Sequence, residues 1–159
     1  MTLNLLNDCV VLSILAKDLI IGEVMNFNRA VIKVGSALVA PTKTGCSGQY
    51  TLAIAQFITK CQQQGKEVIL VSSGGVAAGR SIIHHGSPKL SIAVKKAMSS
   101  VGQMKMMANW QRFFDIPCSQ ILITQSDLED RKRFISIKET IQIQLDNGVL
   151  PIVNENDTL

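Results

Sequence analysis

The sequence has few cysteines, and none of them lies in a metal-binding or disulfide pattern. Cys9, Cys46, Cys61 and Cys118 are far apart in the 159-residue chain, with no Cys-x-x-Cys pair and no histidine at ligand spacing. This spacing disfavours both a zinc site and a disulfide framework. We therefore predict no protein-built metal site and a reducing location, the cytoplasm.

The sequence also lacks an apolar run long enough to cross a membrane. The most apolar early stretch, residues 10–16, is followed by Lys17 and Asp18, whereas a membrane-spanning helix needs about 20 apolar residues. Residues 1–6 carry no positive side chain, so a secretory signal is not predicted either. We expect no membrane partner.

Charge of either sign is modest. The formal net charge is +4, from 16 Lys and Arg against 12 Asp and Glu, and only Arg131-Lys132-Arg133 forms a basic cluster. Such a balance suits anionic small molecules better than nucleic acid. With 47% hydrophobic and 18% charged residues, the composition is typical of a globular domain with an apolar core.

Short β-branched runs alternate with longer helical patterns from residue 30 onward, which predicts a mainly parallel sheet covered by helices on both faces. The fold class expected is α/β, a three-layer αβα sandwich. The predicted strands are apolar on both faces, as strands of a doubly covered sheet are. They are residues 30–34, 68–71, 121–124 and 149–153.

Three helical stretches connect these strands. The first is predicted over residues 48–64, closed by Gly65 in the left-handed conformation. The second covers residues 90–114, with a Ser87-Pro88 start signal and an interruption at Gly102. The third begins at Ser136, three residues before Glu139, and closes at Gly148.

Residues 1–25 carry no turn chemistry that ties them to the first predicted strand. We interpret them as an N-terminal extension of unclear role, followed by one domain over residues 26–159. Met25 lies just before the first strand, and we hypothesise that translation normally starts there, which would make the preceding residues an unstructured or artefactual segment.

Two glycine-containing turns follow predicted strands and could bind phosphate. Lys33 and Gly35 lie at the end of the first strand, where lysine supplies a compact charge and glycine admits close backbone approach. Ser73 and Gly74 open a small-residue turn after the second strand, where consecutive N–H groups favour an anion. The alternatives are a solvated surface lysine and a turn that needs glycine only for its geometry.

A polar segment, Asn154-Glu155-Asn156-Asp157-Thr158, follows the last predicted strand. Its amides and carboxylates suit an ammonium group and a polar substrate, although a plain polar loop has the same composition. Because the carboxyl ends of parallel strands share one edge of the sheet, we expect all three candidates to meet at a single crevice.

Together these residues resemble the glutamate 5-kinases of the amino acid kinase family, over roughly residue 29 to the end. The two most specific strings are the Ser-Ser-Gly turn and the segment that begins at Pro151. Three residues depart from the family pattern: Lys96, Gly75 where alanine is usual, and Ser136 where asparagine is usual. The matching strings are Lys33-Val34-Gly35-Ser36, Val71-Ser72-Ser73-Gly74, Val76-Ala77-Ala78-Gly79, Val101-Gly102-Gln103, Leu122-Ile123-Thr124, Asp130-Arg131-Lys132-Arg133-Phe134 and Pro151-Ile152-Val153-Asn154-Glu155-Asn156-Asp157-Thr158.

The resemblance implies ATP and Mg²⁺, formation of glutamyl 5-phosphate from L-glutamate as the first step of proline biosynthesis, homo-oligomers and feedback inhibition by proline. It implies that Lys33 contacts the ATP phosphates and stabilises the transferring group, with the Gly35 and Gly74 backbone as donors. Ser73 and Asp157 would bind glutamate, Asp157 through the α-ammonium, and Asn154 would assist.

The family's adenine-binding part, its second lysine and an often present RNA-binding-like domain have no counterpart before Leu159. We therefore expect a truncated form with little activity alone. Two alternatives stay open: a non-catalytic fragment that binds glutamate or proline and associates with a full-length kinase, and another member of the amino acid kinase family.

Overall fold

The computed structural model describes residues 9–14 and 27–159. Its middle layer is a five-stranded sheet in the order β1-β2-β3-β5-β4, and every neighbouring pair is parallel. The predicted parallel sheet is thus confirmed. The strands are β1 (Cys9–Ile14), β2 (Arg29–Val34), β3 (Glu67–Ser72), β4 (Cys118–Ile123) and β5 (Leu150–Glu155).

Helices cover both faces of the sheet. On one face, α2 and α4 enclose a core that includes Ile58, Trp110 and Leu70. On the other, α6 packs Ile141 against the sheet residues Val31 and Ile69. The three-layer α/β class is therefore confirmed. The helices are α1 (Ser36–Val39), α2 (Gly48–Gln63), α3 (Gly75–Gly79), α4 (Ile92–Gln111), α5 (Gln125–Glu129) and α6 (Arg131–Asp146).

All four predicted strands are present, with their ends shifted by at most three residues. β5 extends to Glu155, so Asn154 and Glu155 are the last residues of the strand and not the start of a loop. The first predicted helix is also present as α2. Ser47 caps it by accepting the Gln49 N–H at 3.1 Å, and Gly65 adopts the expected left-handed conformation with φ +74°.

Residues 9–14 form β1, which pairs with β2 along its whole length, from Cys9 beside Arg29 to Ile14 beside Val34. The expectation of an unstructured segment is therefore wrong for these residues. An apolar, β-branched hexapeptide satisfies the hydrogen bonds of an edge strand without any turn signal in the sequence. Met25 lies outside the described residues, and the hypothesis that translation starts there stays a prediction.

Helix α4 runs without interruption through Gly102, so the predicted break at this position is wrong. The reason for glycine is close packing: a Cβ atom placed on Gly102 would overlap the carbonyl oxygen of Gly75. A glycine inside a helical pattern is equally compatible with a break and with close approach of another backbone. Here the second explanation applies.

Two predicted start signals are wrong because a different side chain provides the cap, although α4 begins at Ile92, within two residues of the predicted start. The Ser91 hydroxyl caps α4 by accepting the Val94 N–H at 3.2 Å, four residues beyond the Ser87-Pro88 signal. The Asp130 carboxylate caps α6 by accepting the Arg133 N–H at 2.9 Å. Ser136, predicted to begin that helix, lies inside it, and the helix closes as expected before Gly148, whose φ is +69°.

None of the helices in residues 27–159 is long and apolar enough to cross a lipid bilayer. The four cysteines, all within the described residues, are thiols. Burial raises the pKa of the Cys118 thiol to about 11, and it also raises the pKa of Cys9, Cys46 and Cys61. Thiols with raised pKa values are protonated at neutral pH and are poor nucleophiles.

Replacing Gly102 by alanine is expected to destabilise the fold, because the added methyl group would displace α3 from α4. Overpacking of this kind costs about 1–3 kcal/mol. Gly86→Ala is the matched control, since no atom lies within 4 Å of the Cβ position of this exposed glycine. Urea denaturation of both variants measures the difference, and equal midpoints would contradict the backbone contact.

The Asp127 carboxylate at the start of α5 is expected to titrate in acid. Asp127 accepts hydrogen bonds from the Thr124 hydroxyl at 2.6 Å and the Thr124 N–H at 2.7 Å. Through these bonds chiefly, and through Arg133 less, the pKa of Asp127 is lowered from 3.8. Because the folded pKa is depressed, this stabilisation is present above the unfolded pKa of about 3.9 and is lost as pH falls through the folded value.

The Thr124 amide signal in a two-dimensional NMR titration should therefore shift with a midpoint below 3.8. Asp127→Asn should abolish that shift, whereas Arg133→Gln should move the midpoint only slightly, since Arg133 contributes less than Thr124. A midpoint at or above 3.8 in the unmodified chain would refute the capping box as the cause.

Candidate functional site

A cavity of about 310 Å³ opens at the carboxyl ends of the parallel strands, on the face of the sheet that α6 covers. Its floor is apolar, because residues of the cluster that packs with α6, including Val31 and Val153, also border the cavity. Its rim is polar and collects residues that follow three different strands. The lining residues are Val11, Val31, Lys33, Val71, Ser73, Gly74, Ile123, Thr124, Gln125, Leu128, Val153, Asn154, Glu155 and Asp157.

Five of the six site residues predicted from the sequence line this cavity: Lys33, Ser73, Gly74, Asn154 and Asp157. Their meeting follows from the sheet, since strands that run parallel end at one edge. The register places Lys33 directly beside Val71, and Val71 beside Val153. The roles of these residues stay predictions, but their convergence is a feature of the structure.

Lys33 is an exposed residue of β2 on the same face as Val31, which forms part of the floor. Within residues 9–14 and 27–159 it has no acidic partner, because the two ion pairs there join Arg29 to Glu67 and Arg133 to Asp127. A lysine that no carboxylate neutralises can interact with an anionic ligand. Its position at the end of a central strand suits contact with a phosphoryl group.

Gly35 lies outside the cavity lining. Its backbone is extended, with φ −76° and ψ 158°, and it precedes α1, which has only four residues. No atom lies within 4 Å of its Cβ position, so the packing of this chain does not require glycine there. Open space above its backbone is compatible with the predicted phosphate contact, which stays a prediction.

The Ser73–Gly74 turn is fixed to the neighbouring strand end. The Ser73 N–H donates to the carbonyl oxygen of Val34 at 3.0 Å, directly beside Lys33 in the chain. Gly74 has φ +128°, and a Cβ atom there would lie 3.3 Å from Val39, so both conformation and space require glycine. The turn therefore presents the Ser73 hydroxyl to the cavity from a defined backbone position.

Asn154 is 7% exposed, and its side-chain nitrogen has no hydrogen-bond partner among the described residues. A buried amide donor without an acceptor is costly, by about 1–3 kcal/mol. Because this side chain borders the cavity, an acceptor on a bound ligand would remove that cost. The observation points to a ligand that carries a carboxylate or another oxygen acceptor.

Asp157 lies in a short turn after β5 that its neighbours hold in place. The Asn156 N–H donates to the Ile123 carbonyl oxygen at 2.8 Å, and the Thr158 hydroxyl donates to the Asn156 side-chain oxygen at 2.6 Å. These bonds connect the turn to the end of β4. The Asp157 carboxylate is therefore presented at the cavity rim by a turn tied to two strands.

Sequence reasoning missed several lining residues. Thr124 and Gln125 follow β4, and the strand-end rule that selected Lys33 could have selected them too. Val11 comes from β1, in the segment treated as an extension, and no sequence signal marked it. The Thr124 hydroxyl is occupied by the α5 cap, through Asp127 and Ser126, so its main contact is structural.

The charges at the rim are one cation, Lys33, and two carboxylates, Glu155 and Asp157. Among residues 9–14 and 27–159 no three His, Cys, Asp or Glu side chains are grouped so that they could hold a metal ion. A cavity with this combination suits a zwitterion, which offers an ammonium group to Asp157 and carboxylate oxygens to Lys33, Ser73 and Asn154.

The sequence of the chain was compared with known proteins. The amino acid kinase family matches residues 28–159. The glutamate 5-kinase of Idiomarina loihiensis is 56% identical over 134 residues, covering 84% of this chain and 36% of that protein. Glutamate 5-kinase 1 of Pseudoalteromonas translucida is 52% identical over 135 residues, covering 85% and 36%. The glutamate 5-kinase of Salinibacter ruber is 53% identical over 136 residues, covering 84% and 36%.

This chain therefore spans little more than a third of the length of these relatives, 36%. The resemblance recognised in its strand-end motifs is confirmed by the relatives and by the family match, which includes β2 to β5 and every predicted site residue. The chain belongs to the amino acid kinase family.

Proposed function

We propose that this chain forms the glutamate-binding crevice and one phosphate contact of a glutamate 5-kinase, which phosphorylates the side-chain carboxylate of L-glutamate with ATP. The observation that carries the proposal is the single cavity lined by Lys33, Ser73, Asn154 and Asp157. Relatives that bear this name at 52% to 56% identity support it.

Glutamate would be held by the polar rim. The Asp157 carboxylate accepts hydrogen bonds from the α-ammonium group, and charge-assisted bonds of this kind are among the stronger ones in proteins. The Ser73 hydroxyl and the unpartnered Asn154 amide donate to carboxylate oxygens. The valines of the floor contact the methylene groups of the substrate, which fixes its position without adding charge.

Lys33 would stabilise the transferring phosphoryl group, with the Gly35 and Gly74 backbone N–H groups as further donors. ATP supplies the phosphoryl group when bound, and Mg²⁺ neutralises phosphate oxygens. Magnesium needs only one or two protein carboxylates beside the phosphates, and the Glu155 carboxylate at the rim, which is not assigned to the ammonium group, would be an oxygen donor of the required kind.

The substrate carboxylate is itself the nucleophile, so no covalent enzyme intermediate is required. The task of the protein is to align that carboxylate with the phosphoryl group and to neutralise developing charge. Bound on Asp157, Ser73 and Asn154, glutamate would have its side chain directed along the sheet edge toward Lys33. Further elements of the proposal are a cytoplasmic location, a first step in proline biosynthesis, homo-oligomers and inhibition by proline.

A second candidate function is a non-catalytic glutamate- or proline-binding fragment that associates with a full-length kinase. The observation that favours it is the charge of the described rim, where Lys33 is accompanied by the carboxylates of Glu155 and Asp157. Co-purification of the chain with a full-length homologue would support this candidate. A third is another activity of the family, which competition among glutamate, aspartate and carbamate for the cavity would distinguish.

The purified 159-residue chain, assayed with ATP, Mg²⁺, glutamate and hydroxylamine, is expected to form little or no glutamyl hydroxamate, since Lys33 is the one cation among the described lining residues that could stabilise the transferred phosphoryl group. The control is a full-length relative under the same conditions. Glutamate-dependent hydroxamate at a comparable rate would overturn this expectation and would mean that the chain assembles a complete site.

Asp157→Asn is expected to weaken glutamate binding, measured by titration calorimetry, by about tenfold to a hundredfold, the value of a charge-assisted hydrogen bond. The matched control is Asp115→Asn, an exposed carboxylate remote from the cavity lining. Equal affinity in the two variants would exclude the assigned role of Asp157.

A further inference from the structure

One stripe of α4 faces the turn that carries Ser73. It consists of Ser99, Gly102, Gln103, Met106 and Trp110, which recur at three- and four-residue steps and are all buried. None of these residues lines the cavity. The stripe therefore lies behind the candidate site, on the opposite side of the β3 end from the ligand.

The backbones of α3 and α4 are in direct contact along this stripe. A Cβ atom on Gly102 would overlap the carbonyl oxygen of Gly75, and one on Gly79 would overlap that of Met98. The Gln103 amide nitrogen lies 2.8 Å from the Cβ position of Gly75. The start of α3, immediately after Gly74, thus has no room to move toward α4.

Trp110 adds a directed contact to this packing. Its indole N–H donates to the Ser72 hydroxyl at 2.9 Å, and that hydroxyl donates to the Met106 sulfur at 3.4 Å. Both Trp110 and Ser72 are 0% exposed. A buried hydroxyl with one donor and one acceptor partner has a fixed orientation.

Ser72 is the last residue of β3, and successive side chains of a strand point to opposite faces. Its hydroxyl is bound to α4, whereas the next side chain, Ser73, borders the cavity. The Ser73 N–H is in turn bonded to Val34. The peptide between the two serines is therefore held from α4 on one side and from β2 on the other.

We propose that Trp110 is a positioning residue for the glutamate site, acting through the Ser72 hydroxyl to fix the Ser73–Gly74 turn. The inference rests on the proposed function for its ligand, but the positioning of the turn can be measured without one. A tryptophan that only filled the core would contribute through its ring, and its N–H group would have no effect on Ser73.

The experiment removes the N–H group alone. Trp110 is the single tryptophan of the chain, so growth of a tryptophan auxotroph on benzothienylalanine replaces one indole N–H by sulfur and keeps the ring shape. Amide hydrogen exchange at Ser73 is expected to accelerate by about fivefold to tenfold, the range for loss of one buried hydrogen bond. The buried Leu150 amide, bonded to Pro117, should exchange unchanged.

Glutamate affinity of the same protein, measured by calorimetry, is expected to fall by a similar factor. Ser72→Ala in the substituted protein should then cause little additional loss, since the Trp110 bond is already absent and only the contact of the hydroxyl with the Met106 sulfur, a weak acceptor, remains to be removed. Ile58→Val, a core change in α2, serves as the control for stability: it should lower the urea midpoint without affecting Ser73 exchange or glutamate affinity.

The outcomes distinguish the positioning role of Trp110 from the proposed function. Unchanged Ser73 exchange in the substituted protein would overturn the positioning role, whatever glutamate does. Faster exchange with unchanged glutamate affinity would also overturn it, because the turn would then have no influence on the ligand. If the unmodified chain binds no glutamate, the proposed function fails, while the exchange measurement still decides whether Trp110 fixes the turn.

Discussion

The parallel pairing of β2 with β3 and of β3 with β5 is the constraint on which the candidate site depends. Neighbouring strands lie about 5 Å apart, so residues level with Lys33, Val71 and Val153 fall within about two strand spacings. That distance matches the length of a small amino acid. In an antiparallel sheet the same three sequence segments would end at opposite edges, and no choice of side chains could bring them together.

The two faces of the sheet differ in structure at this edge. Behind it, α4 approaches α3 closely enough that glycine is required at Gly102 and Gly79, and the turn after β3 is immobilised by packing. In front of it, the valine floor leaves room for a ligand. Polar groups above such a floor interact more strongly than in water, because the local dielectric is low. The two faces of the sheet are therefore covered unequally at this edge. One face is packed tightly against α3 and α4, and the other leaves an open apolar floor.

The sequence could predict those parts of this arrangement that depend on local patterns, but not those that depend on contacts between distant segments. The strands were predictable because each is a short apolar run, and the site residues because strand ends of a parallel sheet meet by topology. The cap of α6 was not predictable, because Asp130 and Ser136 can both cap a helix and only the folded chain shows that Asp130 does so. The break at Gly102 was predicted wrongly, because the close approach of α3 is a tertiary contact that the local sequence does not indicate. β1 is also an apolar run, but no turn signal ties it to β2, and its pairing with β2 is a long-range contact.

The charges of the cavity bear on which ligand the described residues can bind. Phosphoryl transfer spreads negative charge over the phosphate oxygens and requires several positive or donor groups. The rim supplies one lysine against two carboxylates, Glu155 and Asp157. This balance disfavours a polyphosphate on its own and favours a ligand with an ammonium group. The described rim is therefore better matched to an amino acid than to a polyphosphate, and under the proposed function the transferred phosphoryl group would need positive charge in addition to Lys33.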